Sequence, residues 1–166
     1  MVKNNYIIYI DNLIKKIAEF FAITGGLSLI LIIAITCLNV VGRKLSFPIP
    51  GDIELIELLI CTAIFFFLPY CQSTRSNIKI TIFSTLFPKK LNNFLDFTST
   101  ISFLFFASFL AWRMFWGGVD FYKYHDLTMV LNIPKFIFFF PIILSLLVLI
   151  FVCLLELFLI FFTSDD

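Results

Sequence analysis

Charged residues are clustered along this chain, and between the clusters run stretches with no Asp, Glu, Lys or Arg: Phe20–Gly42, Leu58–Thr74, Phe97–Trp112 and Phe136–Leu155. A hydrocarbon core about 30 Å thick takes roughly 20 helical residues at about 1.5 Å each, and flanking charges can snorkel to the interface. Each stretch therefore predicts one membrane span, with spans approximately at 20–42, 53–75, 95–116 and 134–159. Ahead of the first span, Asp11, Asn12, Lys15, Lys16 and Glu19 share one helical face, with Ile7, Ile10, Leu13, Ile14, Ile17 and Phe21 opposite. Residues 6–19 read as an amphipathic helix lying in the interface before it turns into the first span. The apolar run that follows is too long for a signal-peptide core and lacks a small-residue cleavage site, so the first span is expected to be retained. The predicted fold class is all-α integral membrane: a single domain of four transmembrane helices with an amphipathic N-terminal interfacial helix.

Punctuation between the spans is equally plain. Pro48, Pro50 and Gly51 forbid a continuous helix after Arg43 and Lys44, and Asp52 is expected to cap the second span, with Glu54 and Glu57 in its first turns where negative charge suits the helix dipole. Pro69 lies inside that span and predicts a kink, because it releases the carbonyl four residues earlier. Gly25, Gly26 and Ser28 form a small-residue patch that would let another helix approach closely. Trp112 and Trp116 read as an aromatic belt closing the third span, with Gly117-Gly118 loosening or ending its helix. The long loop Ser76–Asn93 alternates apolar and polar residues and reads as interfacial. Lys3, Lys15, Lys16, Arg75, Lys79, Lys89 and Lys90 outweigh Arg43, Lys44, Arg113, Lys123 and Lys135, so both termini are predicted to be cytoplasmic.

Composition removes most alternatives. At 61% hydrophobic and 14% charged the chain lies outside the soluble range, and four spans leave no room for a nucleotide-binding or soluble catalytic domain. Twelve basic against 11 acidic residues provide no polybasic surface for nucleic acid. A single histidine, His125, excludes a bis-histidine haem, and no cluster has zinc spacing. Cys37, Cys61, Cys71 and Cys153 lie in or at the ends of the spans. A quinone-linked disulfide oxidoreductase needs cysteine pairs in its outer loops, so these four read as small packing residues. No enzyme, cofactor or metal is implied.

Among the ionisable residues, Glu19 and Glu156 could be ion-coupling carboxylates of a self-contained four-helix proton-coupled carrier or exporter. The bland reading of Glu19 is interfacial pairing with Lys15 or Lys16. Glu156 interrupts an apolar run that resumes as Leu157–Phe162, and facing a partner or the headgroups both stay open. Arg43 and Lys44 lie across the short connector from Glu54 and Glu57, which predicts a local ion pair fixing the first two helices or contacts to other subunits. Arg75 reads as a snorkelling or capping residue at the end of the second span.

A set of short motifs runs through the chain: Asn39-Val-Val-Gly-Arg43, then Pro48-Ile-Pro-Gly51 with Glu54-Leu55 and Glu57-Leu58. Leu68-Pro69-Tyr70 with Gln72 follows, then Asn77-Ile-Lys-Ile, Leu86-Phe-Pro88-Lys-Lys and Thr128-Met-Val-Leu131-Asn-Ile133-Pro134. In order and spacing this resembles the small membrane subunit (DctQ-like small permease) of tripartite ATP-independent periplasmic (TRAP) transporters. The chain departs from many members in having Gly51 and Ile53-Glu54 where they have a tryptophan and adjacent glutamates. The resemblance implies a bacterial inner-membrane scaffold subunit beside a large membrane subunit that carries the substrate and sodium sites. A periplasmic solute-binding protein would deliver an organic anion, and membrane lipid would be the other partner. Candidate structural or interface residues are Arg43, Lys44, Glu54, Glu57, Pro69, Gln72, Arg75, Pro134 and Glu156.

Overall fold

The computed structural model describes the backbone of residues 2–47, 49–74 and 89–163, and the side chains of residues 9, 11–47, 49–74 and 95–159. The helices are α1 (Val2–Lys44), α2 (Asp52–Ser73), α3 (Lys89–Lys123) and α4 (Phe136–Thr163). Each contains a segment long and apolar enough to cross a membrane: Asp11–Lys44, Asp52–Ser73, Leu95–Lys123 and Phe136–Leu159. The bundle thus has a connector end, where the α1–α2 and α3–α4 turns lie, and a terminal end, where α1 starts and α4 finishes.

The most apolar helix, α4, with a mean hydropathy of 3.1 over its span, is the hub. It packs on α3, α2 and α1, and α1 also packs on α2. Ile142, Leu146, Leu149 and Cys153 recur at helical spacing on one face of α4 and close with Ala107 of α3 into the buried core. Cys61, Phe65 and Leu68 of α2 flank it on one side, and Phe103 and Leu104 of α3 on the other. In hydrocarbon no hydrophobic effect draws helices together, so tight packing and interhelical hydrogen bonds carry the association.

Helix α1 meets α2 at Phe21 and Gly25, four residues apart. A Cβ on Gly25 would lie 3.2 Å from the Phe66 Cβ and 3.4 Å from the Ala63 carbonyl oxygen, so any side chain there would push α2 outward by a few tenths of an ångström. Just beyond it, the Phe21 and Phe66 rings stack edge to face at 5.0 Å. Gly26 faces open space, so of the small-residue patch Gly25 makes the close contact.

Two helices run further than the charge pattern implies. The amphipathic segment is not set off by a turn; it forms the first turns of a continuous α1. Nor does Gly117-Gly118 end α3. A Cβ at either position would come within 3.3 Å of Phe139, so the pair lets the Phe139 ring lie against α3, which continues to Lys123. Both helices end in the same 6→1, 5→2 hydrogen-bond motif. After α1, Phe47 N–H donates to the Gly42 carbonyl at 2.8 Å and Ser46 N–H to the Arg43 carbonyl at 3.4 Å, with Ser46 at φ 63°. After α3, Asp126 N–H donates to Phe121 at 3.2 Å and His125 N–H to Tyr122 at 3.3 Å, with His125 at φ 51°. The lone histidine therefore serves as a left-handed helix stop.

Candidate functional site

At the connector end two turns are bolted together over the start of α2. The α1–α2 turn is held from inside: buried Asn39 donates through Nδ2 to the Asp52 carboxylate and accepts the Ile49 N–H at 3.0 Å. Arg43 approaches the same Asp52 carboxylate at 3.6 Å. This corrects two expectations. The partner of Arg43 is Asp52, not Glu54 or Glu57. And Asp52 does not cap α2 through its side chain; Gly51, at φ 78°, occupies the cap position. Lys44 and Glu57 are exposed, and neither joins an ion pair among the described residues.

Glu54 instead receives the α3–α4 turn. Its two carboxylate oxygens accept the backbone N–H groups of Val130 at 2.9 Å and Leu131 at 3.1 Å. That turn is closed on itself, with Thr128 N–H donating to the Ile133 carbonyl and Ile133 N–H to the Thr128 hydroxyl, each at 3.0 Å. Pro134 bridges to Leu127 at its base, two residues before α4 begins. Leu131 sits so close to Gly51 that a Cβ there would lie 2.6 Å from its Cγ. The platform so formed presents apolar side chains outward, Phe47 at 81% and Met129 at 95% exposure.

Deeper in the bundle, Pro69 is fully buried and has no N–H to return to the Phe65 carbonyl. Ser145 of α4, itself 0% exposed, donates its hydroxyl to that carbonyl at 2.7 Å. The proline thus leaves an acceptor in α2 that α4 satisfies, and the serine is a residue the sequence reading missed. Its signal was faint: Ser145 is the one hydroxyl in the run Phe136–Leu155.

At the terminal end the buried Gln72 donates through Nε2 to Glu156 at 2.6 Å. Glu156 continues the stripe of Leu149 and Cys153 on α4, so it faces α2 rather than the headgroups alone. Both border a cleft of about 610 Å³ shared with Asp11, Lys15, Glu19 and Tyr70. Lys15 pairs with Asp11 at 2.6 Å, one turn before it, and not with Glu19, which is exposed. Arg75 lies outside the described residues. Among the described residues no group of His, Cys, Asp and Glu is arranged to hold a metal.

Comparison with known proteins adds the decisive observation. Residues 32–163 match the family described as tripartite ATP-independent periplasmic transporters, DctQ component. The chain belongs to this family. Neither the curated proteins nor the solved structures gave a match. As a DctQ component it is the small membrane subunit of a TRAP transporter, a multi-pass membrane protein that associates with other TRAP components, and its family is a transporter component rather than an enzyme family. The matched range takes in both turns of the connector-end platform, the Pro69–Ser145 junction and the Gln72–Glu156 pair. Asp11, Lys15 and Glu19 precede it.

Proposed function

We propose that this DctQ subunit is a scaffold in sodium-coupled uptake of an organic anion of carboxylate type. In this reading the large membrane subunit carries the solute and sodium sites, and a periplasmic solute-binding protein delivers the solute. The subunit lies in the bacterial inner membrane with both termini cytoplasmic, so the connector end faces the periplasm. Arg43, Lys44, Glu54, Glu57 and Pro134 then belong to an outer contact surface, while Gln72, Arg75 and Glu156 belong to the cytoplasmic end.

One observation carries the reading. Buried polar side chains of the bundle already hold protein partners: Asn39 bonds Asp52, Ser145 the Phe65 carbonyl and Gln72 Glu156. Among the described residues no buried side-chain nitrogen or oxygen lacks a partner. A self-contained carrier needs polar groups inside the bundle that exchange protein partners for solute or ion. Interhelical hydrogen bonds that are already closed favour a rigid support.

The test is reconstitution. The large subunit is placed in proteoliposomes with and without this chain, the binding protein is supplied outside, and solute uptake is followed with and without a sodium gradient. Uptake that needs this chain together with the large subunit and the gradient supports the scaffold. Uptake by this chain alone, abolished by Glu19→Gln or Glu156→Gln, would establish the independent carrier instead.

A further inference from the structure

Helix α2 is shorter than its neighbours at the terminal end. It stops at Ser73, while α1 reaches back to Val2 and α4 runs on to Thr163. Phe21 and Gly25 of α1 both lie against Phe66 of α2. Antiparallel helices advance equally, so Ser73 is level with about residues 14–18 of α1. Past that level α2 no longer separates α1 from α4, and the cleft of about 610 Å³ opens there.

The lining of the cleft mixes two kinds of surface. Ile14 of α1 and Val152, Leu155 and Leu159 of α4 make an aliphatic wall. The polar residues are unequally committed. Gln72 and Glu156 hold each other, and the Ser73 and Thr74 hydroxyls donate to the Tyr70 carbonyl at 3.0 and 2.8 Å. The Glu19 carboxylate and the Tyr70 hydroxyl have no partner among the described residues. Lys15 gives one of the three hydrogens of its ammonium to Asp11. The cleft thus holds an acceptor for a cation, donors for an anion and a wall for hydrocarbon.

Its place in the fold selects the molecule that combines all three. The candidate spans begin at Asp11 in α1 and end at Ser73 in α2 and Leu159 in α4. The cleft lies among these three span ends, where acyl chains give way to headgroups.

We propose that this cleft binds one phospholipid whose headgroup ends in a primary ammonium. The ammonium is met by Glu19, the phosphate by Lys15 and the Tyr70 hydroxyl, and an acyl chain lies along the aliphatic wall. Charge complementarity selects the headgroup. The described lining side chains comprise three carboxylates, of Asp11, Glu19 and Glu156, against the one ammonium of Lys15, which disfavours a purely anionic lipid. A choline headgroup has no N–H to give a carboxylate, and a water-soluble amine leaves the aliphatic wall unused. Asp11, Lys15 and Glu19 precede the range matched by the family, so the site is assigned to this chain and not to DctQ components at large. The scaffold reading neither requires nor supplies it.

The test strips the purified full chain of lipid in mild detergent and titrates it with phosphatidylethanolamine, phosphatidylcholine, phosphatidylglycerol or free phosphoethanolamine, counting bound molecules by native mass spectrometry. One phosphatidylethanolamine per chain should be held at least fivefold more tightly than either other lipid. Glu19→Gln should abolish that preference, and Glu19→Lys should turn it toward phosphatidylglycerol. Glu19 is exposed, so both variants should keep the native helix content by circular dichroism. Asp120→Asn, at the connector end, should leave the preference unchanged. Equal retention of the three lipids, retention of none, or a preference that survives Glu19→Gln overturns the site. Saturation by free phosphoethanolamine at the concentrations that suffice for the lipid overturns the lipid and assigns a soluble ligand.

Discussion

Replacing Ser145 with alanine should cost about 1.5 kcal/mol of bundle stability, roughly a tenfold change in the unfolding equilibrium. The magnitude follows from what the hydroxyl does. Interhelical hydrogen bonds in membranes average about 0.6 kcal/mol and reach about 1.7, because an alternative partner is usually at hand. Here none is: Pro69 has no N–H to offer the Phe65 carbonyl, and the site is fully buried. The loss should therefore approach the upper end, with the cost of an orphaned buried acceptor of about 1–3 kcal/mol as its ceiling. The same argument predicts a dependence on the proline. Pro69→Ala returns an N–H four residues beyond Phe65, so in that background Ser145→Ala should cost only about 0.5 kcal/mol, a coupling of about 1 kcal/mol. Equilibrium unfolding of the purified chain in mixed detergent, with all four variants of the cycle, measures it. Equal costs in the two backgrounds, within about 0.3 kcal/mol, would refute the idea that serine compensates for proline.

Gly51→Ala should weaken the connector-end platform, since Gly51 has φ 78° and an added Cβ would meet Leu131 at 2.6 Å. Leu131→Ala should remove the clash but not the left-handed strain of about 1–2 kcal/mol, and thermal unfolding of the single and double variants separates the two. Glu54→Ala should speed amide hydrogen exchange at Val130 and Leu131 well above the change at Thr128, whose N–H bonds elsewhere; equal acceleration at all three would show general fraying of the turn. Glu156→Gln keeps an acceptor for the Gln72 amide, so reconstituted uptake by the whole transporter should stay within about twofold of the native rate on the scaffold reading, whereas an ion-coupling carboxylate would not survive the change.

The four spans were legible because a membrane core tolerates few charges, and the runs between charged clusters mark them directly. Helix ends were less so. A charge at the edge of an apolar run does not stop a helix, and both α1 and α3 pass through theirs. The residues that do stop them, Ser46 and His125, are not the glycines that usually announce a left-handed position. Gln72 and Glu156 were singled out separately as polar residues in apolar surroundings, but their pairing across 84 positions depends on how α2 and α4 pack. Lys15 had a carboxylate four residues away on either side; the acid-before-base order with Asp11 is the better aligned with the helix dipole, and it wins. Arg43 chose Asp52 because the turn after α1 folds tightly enough to bring the first residue of α2 beneath it, which charge spacing alone does not reveal.

The central position of α4 also orders the assembly of the subunit. It is the last of the four helices in chain order, yet it packs on all the others. During insertion α1 and α2 can pair as soon as both have entered the bilayer, since Gly25 and Phe66 need nothing further. Helix α3 then waits among lipids for its main neighbour. Until α4 arrives, the Phe65 carbonyl lacks the Ser145 hydroxyl that closes it. An unfinished copy is thus marked within the bundle by an open backbone carbonyl that the finished one conceals.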